Sequence, residues 1–389
     1  MTDASKLVGS WNYPTQVRFG VGRIKELPEA CKSLGMKKPL LVTDMGLKAL
    51  PMVADAIQAN AAAGVPTGLF GEVKGNPVGK NLEDGIAAYK KGGHDGVIAF
   101  GGGSALDTGK AVAFMATQDR PWIDFTDYDT CVKAFKGPIA PIITVATTSG
   151  TGSEVGRAAV FTDEVKQVKK IIFHPSMMPK IVIDDPALTV GLPPKITAAT
   201  GMDAFAHCLE ALCCDFYHPM ADGIAAEGMR LVKENLPAAC KDGRNLEARA
   251  NMMCAATMGA TAFQKGLGSI HALSHPLSSL YDTHHGLGNA VFMPYVLVFN
   301  RKAIEDKLAR LAAYFGLKNQ SFTGFIDWLV AFRAEIGIPH TLGEAGVPLD
   351  NLDRLATLAS QDFCATENPI KMGPADMRQV IDAAVAGRV

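Results

Sequence analysis

The sequence predicts an α/β nucleotide-binding domain built on a mostly parallel sheet, followed by an all-α domain, and three observations predict it. Short apolar runs alternate with helical patterns up to about Asp185. Two turns rich in glycine and hydroxyl groups follow apolar runs directly. From "GLPPKI" (Gly191 to Ile196) onward the texture changes to Ala-, Met- and Leu-rich helical sequence with few β-branched runs. The division expected is 1–188 for the α/β domain and 189–389 for the helical one.

The strands expected are "PLLVTD" (Pro39 to Asp44), "TGLFGEV" (Thr67 to Val73), "GVIAFGGG" (Gly96 to Gly103), "APIITVATT" (Ala140 to Thr148) and "KIVIDDP" (Lys180 to Pro186). Between the first three lie amphipathic stretches near Leu47 to Ala63 and Asn81 to Lys91, spaced as helices that pack on a sheet. Such alternation implies a sheet covered on both sides. "AAVFTD" and "KKIIF", joined by a polar connection, predict an appended hairpin.

At 389 residues with 48% hydrophobic content, the chain has apolar material for two domains. Lys and Arg number 38 against 39 Asp and Glu, with no basic block, so nucleic acid is not an expected partner. The start "MTDASKLVGSW" lacks a signal-peptide pattern, and no stretch approaches the roughly 18 to 20 apolar residues of a membrane span. A soluble, cytoplasmic protein without a membrane partner is expected. The eight cysteines, including adjacent Cys213 and Cys214, fit neither a disulfide framework nor a zinc module and are expected to be reduced, mostly buried thiols.

In "VIAFGGGSALDTGKAV", Gly101, Gly102 and Gly103 stand between a strand and a helix that begins near Ser104. Glycine lets backbone approach a ligand, and the free amides of the next helix suit a pyrophosphate, although a tight strand-to-helix turn needs the same residues. The second loop, "TTSGTGSEVGR" (Thr147 to Arg157), also follows a strand, and the two together point to a dinucleotide at the carboxyl ends of parallel strands. Asp44 ends the first strand, where a carboxylate either accepts from ribose hydroxyls and repels a 2′-phosphate, favouring NAD over NADP, or caps a helix.

The helical half carries "GMDAFAHCLE", with Asp203 and His207 four positions apart, and "GSIHALSHPLSSLYDTHHGLGNA", with His271 and His275 spaced likewise and His284 and His285 after them. Residues four apart on a helix face one point, and burying a carboxylate with several imidazoles is costly unless a cation joins them. One carboxylate and three imidazoles, with room for an oxygen ligand, suit a catalytic Fe²⁺ or Zn²⁺.

Four segments carry a family resemblance: "GGGSALDTGKAVA", "TTSGTGSEV", "VIDDPALTVGLPPKITAATGMDAFAHCLEA" and "HALSHPLSSLYDTHHGLGNAV". In order and spacing, over nearly the whole chain, the sequence resembles the iron-containing (group III) alcohol dehydrogenases. The resemblance implies a nucleotide-binding α/β domain, a helical domain and a cleft between them for nicotinamide cofactor and metal. It implies that Asp203, His207, His271 and His285 bind the metal and that His275 is a nearby non-ligand histidine. It further implies that Gly101, Gly102, Gly103 and Ser104 hold the pyrophosphate and that Thr147 and Thr148 lie along NAD. Asp44, Asn76 and Lys169 complete the cofactor contacts that it implies. His284 departs from the several relatives that have proline there, and His285 is favoured as ligand because it precedes glycine. A homodimer or larger homo-oligomer is implied by the resemblance alone.

The function expected is a metal-dependent NAD(H) oxidoreductase that interconverts a small primary alcohol and its aldehyde. His275 is either a proton shuttle or a hydrogen-bonding partner that orients a ligand. Arg157 is either a solvated arginine or a partner for a substrate carboxylate, which would make a semialdehyde interconverting with 4-hydroxybutyrate the alternative substrate. A lyase of the dehydroquinate-synthase type would need a basic cluster for a phosphate, and none lies near the histidines of the helical half. A non-catalytic scaffold would not need the complete ligand and glycine sets.

Overall fold

A computed structural model describes Tyr13 and residues 15–389. The chain forms two compact units. One runs to Thr148 and resumes over Gly152–Gly191; the other takes Ser149–Thr151 and Leu192–Val389.

In chain order the first unit contains β1 (Gln16–Phe19), α1 (Leu27–Ser33), β2 (Leu40–Asp44), α2 (Pro51–Ala62), β3 (Gly68–Val73), α3 (Gly79–Gly92) and β4 (Val97–Gly101). Then follow α4 (Gly103–Met115), α5 (Tyr128–Ala134), β5 (Ile142–Ala146), β6 (Ala158–Asp163), β7 (Val168–Phe173) and β8 (Ile181–Asp184). Six strands form one parallel sheet in the order β1-β8-β5-β4-β2-β3. Alternate residues feed two cores: Leu40, Val42 and Val97 pack on one face, while Leu41, Ile98 and Phe100 pack on the other. A strand buried on both faces reads as an unbroken apolar run, which is why β4 and β5 stand out in the sequence. Strand β1, "QVRF", is an edge strand whose residues stay at least partly exposed, and it carries no such run.

Strand β3 lies outside β2, and the chain then returns to lay β4 against the other side of β2. Strand order reverses there, so the carboxyl ends of β2 and β4, where Asp44 and Gly101 stand, form the switch point at which such sheets take ligands. Helix α2 starts at Pro51, later than the expected Leu47. Leu47 and Lys48 instead close a turn on the Asp44 carbonyl, and Pro51 occupies a first-turn position that needs no amide donor. Strands β6 and β7 form a separate antiparallel hairpin.

The second unit contains α6 (Pro194–Cys213), α7 (Pro219–Lys241), α8 (Leu246–Ala262), α9 (Ser269–Tyr281), α10 (His285–Tyr314), α11 (Phe322–Glu335), α12 (Leu352–Ser360) and α13 (Pro374–Ala386). Helix α6 is its centre, buried without a break from Thr197 to Ala211 and packed on α7, α8 and α10. Glycines admit its neighbours: a Cβ on Gly259 of α8 would stand 3.0 Å from that of His207. Among the described residues, no helix is long and apolar enough to cross a membrane.

Candidate metal centre and cofactor cradle

Helix α6 places Asp203 and His207 on one face in mid-helix, nine and thirteen positions after Pro194, so neither caps its start. Helix α9 brings His271 against them, and ligand atoms of the three residues lie within 4.8 Å of one another. Oδ1 of Asp203 is 3.9 Å from Nε2 of His207, 3.9 Å from Nε2 of His271 and 3.6 Å from Nε2 of His285, the first residue of α10. His284, the residue before it, is exposed at the N-cap, so His285 is the one turned toward Asp203.

Asp203, His207 and His271 are all buried. Burial opposes ionisation of Asp203, yet His207, His285, His271 and the Asn289 amide outweigh it and hold the carboxyl down at about 2. Burial drives His271 and His285 well below the ordinary imidazole range, so both are neutral and offer lone pairs. Nδ2 of Asn289 is drawn to three of these atoms at once, at 2.8 Å from Asp203 Oδ1 and 3.2 Å from Nε2 of both His271 and His285. An anion and several imidazole lone pairs thus converge in an apolar interior, with a single neutral amide as their shared donor. An ion with bonds of about 2.0–2.2 Å in tetrahedral array sets its donor atoms about 3.3–3.6 Å apart. The Asp203 edges of 3.6–3.9 Å approach that spacing, so the donor set fits a divalent transition metal.

The residues around this cluster are ordered as well. Nδ1 of His271 lies 2.5 Å from Oε2 of Glu210, and Nδ1 of His275 lies 2.9 Å from Oδ2 of Asp362. Burial pushes Glu210 up to about 7 against the backbone amides of Ile270, Gly268 and His271. The His275 ring stacks on His285 and on Phe363, with centroids 5.2 and 5.4 Å away. Sequence reasoning passed over Glu210, Asn289 and Asp362. The first two carried a signal: Glu210 falls seven positions after Asp203 and Asn289 four after His285, each on its ligand's own helix face. Asp362 is 87 positions from His275 and carried none.

Of the residues expected to hold the cofactor, Asp44, Gly101 to Ser104, Thr147 and Thr148 lie at the carboxyl ends of β2, β4 and β5, while Asn76 follows β3 and Lys169 lies on β7. Gly101 adopts φ +148°, and a Cβ there would stand 2.8 Å from that of Ala105 and 3.2 Å from Oδ2 of Asp44. Gly102 faces the side chain of Thr148, and the Thr147 amide donates to the Gly101 carbonyl at 3.0 Å, joining the two turns. Helix α4 starts at Gly103, and Oγ of Ser104 donates to the Gly75 carbonyl at 2.6 Å. Asn76 follows on that loop and accepts from Nζ of Lys169. Oδ1 of Asp44 caps the turn through the amides of Gly46 and Leu47, at 2.9 and 3.0 Å, and leaves Oδ2 toward Gly101. Arg157 lays its guanidinium 5.1 Å from the centre of the Phe173 ring.

Beneath the cradle, Lys110 of α4 is fully buried and donates to Oγ and the carbonyl of Ser153, at 2.7 and 2.9 Å, and to the Ala158 carbonyl at 2.6 Å. Asp107 joins it by accepting from Ser153 Oγ at 2.5 Å and from the Val160 amide at 2.9 Å. Burial lowers the pKa of Lys110 while Asp107 and Glu154 oppose that fall. The helix after the first glycine turn therefore holds the segment that follows the second.

The profile of the family described as "Iron-containing alcohol dehydrogenase" matches residues 14–186, and that of "Fe-containing alcohol dehydrogenase family, C-terminal" matches residues 197–385. The chain belongs to the iron-containing alcohol dehydrogenase family. This dehydrogenase is 37% identical over 383 residues to the 4-hydroxybutyrate dehydrogenase of Cupriavidus necator, covering 96% of this chain and 99% of the relative. It is 35% identical over 375 residues to the 1,3-propanediol dehydrogenase of Citrobacter freundii, covering 94% and 96%. Its fold matches a crystal structure of 1,3-propanediol oxidoreductase with a TM-score of 0.92 at 34% identity, covering 97% of this chain and 100% of that one. It is thus an enzyme, an oxidoreductase of the alcohol–aldehyde class, and the α/β-plus-helical architecture expected of the sequence is the one it has.

Proposed function

We propose that this dehydrogenase interconverts a small primary alcohol and its aldehyde using NAD, with a divalent ion held by Asp203, His207, His271 and His285. The observation that carries the reading is the convergence of one buried carboxylate and three imidazoles whose Nε2 atoms lie 3.6 to 3.9 Å from Asp203 Oδ1. Family membership favours iron, with zinc as the alternative. Similarity to an NAD-dependent methanol dehydrogenase of Bacillus methanolicus, 32% identical over 377 residues, favours NAD.

A bound cation supplies Lewis acidity to the substrate oxygen, and NAD supplies the hydride acceptor. The chain's residues do the rest. Asp203 contributes the one negative charge, so cation and ligand set stay compensated in the apolar interior. Gly101, Gly102, Gly103 and Ser104 offer unhindered backbone and first-turn amides to a pyrophosphate, with Thr147 and Thr148 beside them. Asp44, Asn76 and Lys169 complete that cradle, and His275, held through Nδ1, takes the alcohol proton at Nε2. The protein acts in the cytoplasm as a homodimer or larger homo-oligomer.

Absorbance at the NADH band with an alcohol panel and NAD tests this, on protein prepared without oxygen and assayed before and after chelation and iron reconstitution. Activity that follows stoichiometric metal, and disappears in Asp203→Ala and His271→Ala, is expected; turnover that ignores chelation sinks the reading.

The resemblance to a 4-hydroxybutyrate dehydrogenase favours a carboxylated substrate as the second reading, with Arg157 as the carboxylate's partner. An Arg157→Leu variant then loses far more activity toward succinic semialdehyde than toward a neutral aldehyde. Equal relative losses remove the idea.

A further inference from the structure

Glu210 belongs to neither the ligand set nor the cofactor cradle, yet it is 5% exposed and meets a ligand directly. Seven positions from Asp203 on α6, it returns to the same helix face. Its two oxygens are separately committed: Oε1 accepts from the Ile270 amide at 2.7 Å, and Oε2 meets Nδ1 of His271 at 2.5 Å. The amides of Gly268 and His271 also donate to this carboxylate. Helix α9 has no side-chain cap of its own at Gly268. Its first amide, that of Ser269, is instead taken by Asn368 at 3.1 Å, and the Leu267 amide just before the cap by Glu367 at 2.9 Å.

We propose that Glu210 is a positioning residue for the metal centre: as a carboxylate it fixes His271 with its proton on Nδ1 and its Nε2 lone pair turned to Asp203. The inference rests on the proposed metal reading. An ionised carboxylate only accepts, so the Nδ1 it meets must donate, and a neutral imidazole then keeps Nε2 bare for a cation. The same anion adds a second negative charge behind the cluster, which strengthens the imidazole as a ligand.

Glutamine separates this role from simple support. Its shape is that of glutamate, but one of its two terminal atoms is a donor. The amides around Oε1 require an acceptor on their side, so the NH₂ group of Glu210→Gln must face Nδ1 of His271. Nδ1 then has to accept, the proton moves to Nε2, and the ligand atom is blocked while the cap on α9 persists.

Metal-free protein at pH 8 is titrated with Co²⁺ in competition with a chromophoric chelator, and the visible spectrum of bound Co²⁺ is followed. Glu210→Gln is expected to weaken Co²⁺ binding about ten- to a hundredfold and to alter that spectrum, while the metal-free variant melts close to its parent. Glu210→Asp, which keeps the anion, is expected to lose less. Asp203→Ala runs beside them: if it binds Co²⁺ as the parent does, the metal reading itself fails. If Asp203→Ala loses the ion and Glu210→Gln keeps it at parental affinity, the Glu210 assignment alone is overturned. Should Glu210→Gln not fold, ¹⁵N-histidine spectra of the metal-free parent, with a His271→Gln variant to assign the signal, decide the question: Nδ1–H is expected, and Nε2–H overturns the proposal.

Discussion

Asp362 holds His275 as Glu210 holds His271: both histidines stand on α9 one turn apart, and each meets a carboxylate through Nδ1, His275 at 2.9 Å. The other oxygen of Asp362 accepts from the Cys364 amide at 2.9 Å, so the carboxylate is anchored before it meets the ring. His275→Ala should lower kcat about a hundredfold, the lower end of the range for general acid–base groups, and leave KM for NAD near its parental value. Asp362→Asn should lower kcat about tenfold, because an amide presents either its donor or its acceptor to the ring. Steady-state kinetics decide it, and a parental kcat in Asp362→Asn would show that the pair is only structural.

Helix α10 supplies His285 and Asn289 and then meets Pro294, which has no amide to offer the Ala290 carbonyl four residues back. Arg333, fully buried, donates to that carbonyl at 2.7 Å and to the Val291 carbonyl at 2.9 Å. Arg333→Met should therefore destabilise the metal-free protein by about 2–3 kcal/mol, the cost of leaving buried carbonyls without donors. In a Pro294→Ala background the helix recovers its own amide, and the same change should cost at least about 1 kcal/mol less. Denaturant unfolding of the four proteins measures the coupling; strictly additive effects would mean that Arg333 answers to something other than the proline.

The elements legible in the sequence are those whose environment imposes a period. Strands β4 and β5, buried on both faces, announce themselves as apolar runs, and the shared face of Asp203 and His207 on α6 is legible because helix geometry turns spacing into direction. Edge strand β1 has one neighbour and no unbroken apolar run, and it went unread. What spacing cannot report is a contact closed by the fold. Asp362 reaches His275, and Lys110 reaches Ser153, only because separate segments pack together. Glu210 stood within the very run that raised the metal question, on the helix face of Asp203, but that spacing does not say which group of α9 it meets.

The expectation of reduced, buried thiols has a chemical readout. All eight cysteines are free; six are buried, and only Cys240 and Cys254 are half-exposed. Burial pushes Cys31, Cys208 and Cys213 up to about 12 and Cys240 to about 11, so each is a protonated, poor nucleophile at neutral pH. Brief alkylation of the native protein at pH 8, read by mass spectrometry, should mark Cys254 first and leave the buried six untouched until denaturant is added. Early labelling of Cys208 or Cys213 would mean that α6 opens far more readily than its burial allows.

The proposed cofactor role of Asp44 predicts that its charge selects NAD over NADP. Its Oδ1 is spent on the Gly46 and Leu47 amides, so Oδ2 remains at the switch point, 3.2 Å from where a Cβ on Gly101 would lie. A ribose 2′-phosphate brought within about 6–7 Å of that oxygen is repelled by roughly 2.5 kcal/mol at the effective dielectric of a protein surface, or about seventyfold in affinity. Ribose hydroxyls, by contrast, gain an acceptor there. Asp44→Ser keeps an oxygen able to serve the turn amides and removes the charge. It should raise kcat/KM with NADP by about tenfold or more and lower it with NAD, through KM in both cases and with kcat little changed. If the ratio of the two efficiencies does not move, the carboxylate serves the turn alone and selectivity is set by another residue.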